Sequence, residues 1–528
     1  MGLLLIFTGL VALLLGMLVS QGHDSLMAIA LGCMLFNFGL NTFLWRLNRR
    51  YIIYKFFAVW FVYQPFFLFL LLVLFPDDMR EQVASFLPIE GKSISLFASF
   101  CVVPLLAVLL TLAIDRSRGS MHDEAFNYAG QRIKPTQSSF ALSGLGSDFD
   151  MVLIFSAIIS VSIWGATLSE TNIFAFFVRV LYRGVFFMPF IAGLYWNRNR
   201  LVRLVWLECL TINMVLAFIT GSRGYGFLPL GLYGLGFIVQ QTTRSRRILW
   251  IVAGLAGAFP LLLLGGLIQV LRDEVGRTNL QSMRTGEIIS HFGDALDQSV
   301  RNNVNTWDET QNSALWFGLS RLLDWSLIAV PNMSPGFIAY RGYGDFPSEI
   351  EGMFSVPGLD IFPELGFDSR SLAIPYGFGV SSELDVTTGL HVGTSVPFNI
   401  VADSWSRGGF FSLLVQVSVS LFALLWMEVF LYKYFLMRNY VNLFVLGRTV
   451  LIGMAFNYLT GNIFTDTIRQ CIFTMGFTLL CVGLPSMLFE KGQSDGFPQT
   501  RPFAGNRSGL RPHPSRLPGA RGHRPFRA

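Results

Sequence analysis

Apolar runs of roughly twenty residues, the length an α-helix needs to cross the hydrocarbon core of a bilayer, recur along most of this chain. About twelve can be drawn: Met1 to Ser20, Leu26 to Trp45, Ile52 to Phe75, Ile94 to Ile114, Met151 to Leu168, Ile173 to Trp196, Leu201 to Thr220, Tyr225 to Val239, Ile248 to Leu271, Phe410 to Leu431, Val441 to Ile463 and Cys471 to Phe489. The pattern predicts an all-α polytopic membrane protein of about twelve transmembrane helices with one large polar loop between the ninth and tenth. Residues 1–271 then hold the first nine helices, 272–407 the loop, 408–489 the last three and 490–528 a tail. Within the loop, Ile288, Ile289, Phe292, Leu296 and Val300 recur at helical spacing, which predicts a short amphipathic helix. Leu315 to Ala329 forms a second such stretch, interrupted by Arg321 and Asp324. From Pro335 to Thr394 glycine, proline and aromatic residues accumulate, as in an irregular folded loop. No repeat of fixed period is visible.

Charge orients the pattern. When the runs alternate in direction, Arg46, Arg49 and Arg50, Arg116, Arg118, Arg132 and Lys134, Arg198, Arg200 and Arg203, Arg244, Arg246 and Arg247, and Lys433 and Arg438 all fall on one side. The positive-inside rule makes that side the cytoplasm and puts the segment from Arg272 to Arg407 outside, with both termini inside. Met1 to Ser20 lacks the positive start and small-residue cleavage site of a secretory signal and reads as a retained first span.

Composition agrees: 52% of the 528 residues are hydrophobic and 14% charged, values that belong to a membrane protein and give the basic balance no nucleic-acid meaning. Much of the excess positive charge sits after Phe489, among Pro, Gly and Ser, as in a disordered cytoplasmic tail. The five cysteines all lie in apolar runs, which leaves no disulfide framework and no zinc site. Walker loop, HExxH and GxSxG motifs are absent from the sequence, which argues against an ATP-driven pump or a membrane metalloprotease.

The candidate chemistry is arginine-based. The outer loop carries eight arginines and no lysine, and the planar guanidinium fork is the group best matched to phosphate and carboxylate oxygens. Thr220-Gly221-Ser222-Arg223-Gly224-Tyr225-Gly226 joins two spans through a turn on the outer face, with Arg223 at the mouth of the bundle. An interfacial arginine snorkelling to water explains that turn equally well. Arg179 and Arg183, four apart in the sixth span, share a helix face and repel unless an anion or a carboxylate lies between them. Glu208 and Arg448 stand at similar depth in the bundle, well in from the cytoplasmic ends of their spans, as in a structural ion pair, and Lys55, near a cytoplasmic end, reads as a snorkelling anchor. His391, in Gly389-Leu390-His391-Val392-Gly393-Thr394, leads back toward the membrane near Asp403 and Arg407; a neutral imidazole there suits a general base, and a surface histidine is the plain alternative.

Thr220-Gly221-Ser222-Arg223-Gly224, the return into the membrane at Ser395-Val396-Pro397-Phe398, and Asp403-Ser404-Trp405-Ser406-Arg407-Gly408-Gly409-Phe410 together resemble the bacterial Wzy O-antigen polymerase family of oligosaccharide repeat-unit polymerases. The resemblance covers the middle and later spans better than the first four, and the tail lies outside it. It implies transfer of a growing glycan from an undecaprenyl diphosphate carrier to the next lipid-linked repeat unit, at the periplasmic face of the inner membrane. The implied partners are the undecaprenyl-diphosphate-linked oligosaccharide, membrane lipid and a chain-length regulator, with no nucleic acid, no cofactor and no metal. Under it Arg179, Arg183, Arg223 and Arg407 hold the diphosphate, Arg223 stabilises charge as the bond breaks, and His391 or Asp403 activates the acceptor hydroxyl. Trp307, Trp316, Trp325, Tyr340 or Tyr343 would pack on sugar faces. An O-antigen ligase, which passes the glycan to lipid A core, shares this outline and differs in an acceptor that the residues do not state. A transporter of a polysaccharide or small molecule is the alternative of another class; the single large loop and the lack of a repeat between halves weigh against it.

Overall fold

In the computed structural model of the protein, the residues described are 1–18, 23–47, 53–75, 93–117, 149–168, 173–197, 199–241, except 221 and 222, then 243, 245–254, 256–257, 319, 322–324, 327, 399–436, 440–461 and 473–484. Among them the elements are all helical. In chain order they are α1 (Gly2–Leu18), α2 (His23–Leu47), α3 (Ile53–Leu74), α4 (Ser93–Ser117), α5 (Phe149–Leu168), α6 (Ile173–Val185), α7 (Met188–Leu194), α8 (Arg200–Thr220), α9 (Arg223–Gln240), α10 (Ile400–Leu431), α11 (Val441–Gly461) and α12 (Phe473–Gly483). Three stretches among the described residues, Asp24–Leu44, Leu96–Ala113 and Gly409–Leu436, are long and apolar enough to cross a membrane, and α6 with α7 makes a fourth if the bent pair is one span. Leu3, Leu4 and Phe7 of α1, Ile212 and Val215 of α8 and Phe411, Phe422 and Trp426 of α10 point outward and are exposed. Such faces suit a lipid surround.

The first two helices pack through glycine. Gly2, Gly9 and Gly16 on α1 face α2, on which Gly32 and Gly39 face α1, so a small residue returns every seven positions on both helices. A Cβ on Gly9 would lie 2.8 Å from the Gly32 carbonyl oxygen, so the backbones approach more closely than any side chain there permits.

Proline explains the next contact. Pro65 lies inside α3 and Pro104 inside α4, and each lacks the N–H that would reach the carbonyl four residues earlier, Phe61 and Phe100 respectively. Both orphaned oxygens are taken up by one side chain, the fully buried Asn37 of α2, whose Nδ2 donates to Phe61 O at 2.7 Å and to Phe100 O at 2.9 Å. Asn37→Leu is therefore expected to strand two buried carbonyls at about 1–3 kcal/mol each, read as a lowered melting temperature in detergent with α1 to α4 as the affected region.

Other side-chain hydrogen bonds tie the helices together. Trp164 of α5 donates its indole N–H to Asn213 of α8 at 2.8 Å, and Tyr54 of α3 donates its hydroxyl to Leu421 O of α10 at 3.0 Å. Two expectations from the sequence change. The run Ile173 to Trp196 is not one straight helix but the α6–α7 pair, bent by 42° with Pro189 in the first turn of α7, where a missing N–H costs nothing. The tenth run begins earlier than Phe410: Asn399 caps α10, its Oδ1 accepting from Val401 N and Ala402 N, so the residues around Asp403 and Arg407 are helical.

Helix α10 is also bent. Ser404 Oγ donates to Gln416 Oε1 at 3.1 Å, yet twelve residues of straight helix rise about 18 Å, far beyond the reach of a serine and a glutamine. The axis turns at Gly409, whose φ of 65° lies in the left-handed region that glycine adopts without a Cβ penalty. The arm 400–408 thus leaves the line of the span that follows it.

Candidate functional site

Helix α6 brings the two arginines. Arg179 is half-buried and Arg183 is exposed, both on one face, while Ala175, Val178 and Tyr182 are buried against Ile163 and Trp164 of α5 and Ala217 of α8. Arg183 sits just before the break into α7. Its carbonyl oxygen faces Gly453 of α11, at 3.5 Å from where a Cβ would stand, so α11 lies directly against the break.

From the break a row of rings leads across the bundle. Phe186 stacks on Phe456 of α11 with centroids 5.5 Å apart, and Phe456 meets Trp60 of α3 edge-on at 5.5 Å. Trp60 stacks on Tyr63 at 5.9 Å, and Tyr63 contacts Phe67 at 4.3 Å.

One turn on from Trp60, on the same face of α3, the row ends in a polar network. Gln64 is fully buried; its Oε1 accepts from the backbone N–H of Asp324 at 2.7 Å. Asp324 Oδ2 accepts from Asn399 Nδ2 at 2.8 Å, and Asn399 is the cap of α10. Leu323 and Leu327, on either side of Asp324, are buried in the main core. A short piece of the long polar segment is thereby inserted between α3 and α10, pinned by both its backbone and its carboxylate. The aromatic row thus leads from the break after the arginine helix to the side of α3 that holds the loop carboxylate.

Of the residues singled out in the sequence, Arg179 and Arg183 share the face expected of them. Arg223 is the first residue of α9, and three positions on Gly226 packs against Ala217, which belongs to the cluster holding Val178 and Tyr182. The α9 start and the arginine helix therefore meet the same part of α8; the Arg223 side chain lies outside the described residues. Asp403 and Arg407 lie on the capped arm of α10, their side chains likewise outside the description, as are His391, Trp307, Trp316, Trp325, Tyr340 and Tyr343 altogether. Arg448 does not pair with Glu208, which is exposed; its Nη2 and Nε sit 2.7 and 2.9 Å from Glu428 Oε1.

Sequence reasoning passed over Gln64, Asp324 and Asn399. Two signals for them existed: Gln64 is an amide amid apolar residues, next to a proline, and Asn399 directly precedes an apolar run, the position of a helix cap. Set against known proteins, the chain matches no family model, no curated protein and no solved structure.

Proposed function

We propose that this protein polymerises undecaprenyl-diphosphate-linked oligosaccharide repeat units into O-antigen or a related surface polysaccharide at the periplasmic face of the inner membrane. In this reading the helices make about twelve spans, the termini are cytoplasmic and the segment from Arg272 to Arg407 is periplasmic, as the distribution of basic loops requires. The observation that carries it is an arginine helix linked by an aromatic row to a pinned loop carboxylate. A lipid diphosphate brings its own leaving group, so the protein has to bind anionic oxygens, hold sugars and accept a proton, and these are the three kinds of group that the site presents. Arg179 and Arg183, with Arg223 and Arg407, hold the diphosphate.

A deletion strain of the bacterial host tests this directly. Its lipopolysaccharide is expected to collapse to a core-plus-one-unit band on a gel. A bare core would instead make the protein the ligase, and an unchanged ladder would exclude both.

A further inference from the structure

We infer that the end of the bundle where α7, α8 and α9 meet, cytoplasmic in the reading above, binds an anionic phospholipid, its phosphate on arginine forks and its acyl chains on the apolar helix faces beside them. Glycine brings the elements together. A Cβ on Gly193 of α7 would strike Tyr233 O, and one on Gly236 of α9 would strike Phe190 O, so the two backbones touch. Next to that contact lies one aromatic cluster. Trp196 meets Tyr233 and Phe237 of α9 edge-on at 5.9 and 5.1 Å, and Phe237 meets Trp250, within the helical residues 245–254, at 4.9 Å. Two arginine-bearing stretches of chain are thereby fastened to one surface. The Arg203 guanidinium lies 5.1 Å from the centre of the Trp196 ring, and Arg247, three positions before Trp250, donates Nη2 and Nε to Gln241 O at 2.8 and 3.3 Å.

The surface has donors to spare. Arg200, Arg246 and Arg247 are exposed and Arg203 is half-buried, and among the described residues none of the four is paired with a carboxylate. The carboxylate that reaches the same turn, Asp150 at the start of α5, is engaged by Asn199, whose Nδ2 donates to Oδ2 at 2.7 Å while its own Oδ1 accepts from Leu201 N at 2.9 Å. In the cluster itself the Tyr233 hydroxyl and the Trp206 indole N–H, on rings stacked 6.4 Å apart, are buried without a hydrogen-bond partner among the described residues. A phosphodiester brings only acceptors, and the guanidinium fork matches its oxygens. What selects a lipid over a free phosphate is the surround: Leu201 and Leu204 of α8, with Ile248, Leu249 and Val252, are exposed, a face that a soluble anion leaves bare and acyl chains cover. Tryptophan beside them is the side chain that settles at headgroup level. The site uses none of the polymerase chemistry and stands or falls apart from it.

The test uses the full chain in detergent with a photoactivatable phosphatidylglycerol as the probe, its cross-links mapped by mass spectrometry and titrated. Labelling is expected in the peptides that span 196–204 and 241–252, with little there from the matching phosphatidylcholine probe and no displacement by an excess of inorganic phosphate. The paired change Arg200→Gln with Arg247→Gln is expected to melt like the wild type and to bind the probe about 10-fold or more weakly. Arg203→Lys keeps the charge over Trp196 but loses the fork, and weakens binding to a lesser degree. The paired change Arg49→Gln with Arg50→Gln, on another basic turn, should leave both peptides labelled as in the wild type. Cross-links spread evenly over the basic loops, or unchanged in the Arg200 and Arg247 pair, overturn the site, and equal labelling by phosphatidylcholine does the same. Displacement by phosphate makes it a site for a soluble anion and overturns the lipid assignment. Binding that falls only together with melting temperature, in the arginine pair and in Arg203→Lys alike, makes these residues structural and also overturns it. Each of these results leaves the polymerase reading standing, since chain growth is read in the deletion strain.

Discussion

Cells whose only copy of the protein carries Arg179→Ala and Arg183→Ala are expected to make no polymer beyond a single repeat unit, although the protein still accumulates in the membrane. The two guanidinium groups lie four residues apart on α6, on a face beside the one that Val178 and Tyr182 bury against α5 and α8. On the polymerase reading, what is lost is the hold on the carrier diphosphate. Removal of one preorganised donor to a developing negative charge costs about 100-fold or more in rate, and two such losses bring chain growth below detection. Lysine at both positions restores a point charge without the bidentate fork and is expected to give short, weak ladders. Normal ladders from the alanine pair at wild-type protein level would remove the diphosphate role from α6. Loss of the protein together with the ladder would make the arginines structural.

Element positions were well legible in the sequence, because a twenty-residue apolar run has few physical alternatives to a helix. The runs at Leu26 to Trp45 and Ile94 to Ile114, for example, fall within α2 (His23–Leu47) and α4 (Ser93–Ser117) and end close to their bounds. Shape within a run was harder to see. The break between α6 and α7 lies at an aromatic pair before Pro189, and the bend in α10 at the second of two adjacent glycines, neither of which disturbs hydropathy. The candidate site was legible only in its arginines. A charged residue in an apolar run announces itself by cost. Gln64, Asp324 and Asn399 are separated by 260 and 75 positions, and what unites them is the packing of the polar segment between α3 and α10, which no local pattern encodes. The aromatic row has the same origin, since Phe186, Phe456 and Trp60 are three among many aromatic residues until α11 packs between α3 and α6. The error over Arg448 is instructive for this reason: two residues at similar expected depth were Glu208 and Arg448, but the helices that touch are α10 and α11, and the partner is Glu428.

That ion pair gives the second large expectation. The side chains of Arg448 and Glu428 are 5% and 2% exposed, both Arg448 contacts converge on one carboxylate oxygen, and the guanidinium carbon lies 5.4 Å from the centre of the Phe444 ring. Taking one charge away leaves the other buried, so Glu428→Gln is expected to destabilise the protein by about 3–5 kcal/mol, whereas the double change Glu428→Leu with Arg448→Met, of similar volume, should recover most of that loss. A melting curve of each variant in detergent forms the cycle, and a large positive coupling is the expected result. The location gives the pair its purpose: Glu428 stands one turn before the π-helical segment Tyr432–Leu436, where the chain leaves α10, and Leu431 packs on Gly447 of α11, so the salt bridge fixes the angle at which α11 returns toward the arginine helix. If the pair only sets that angle, the apolar double variant polymerises normally. A double variant that is stable but inactive would show instead that the charges take part in transfer or in passage of the carrier, and a Glu428→Gln protein that melts like the wild type would show that the pair contributes nothing to the fold.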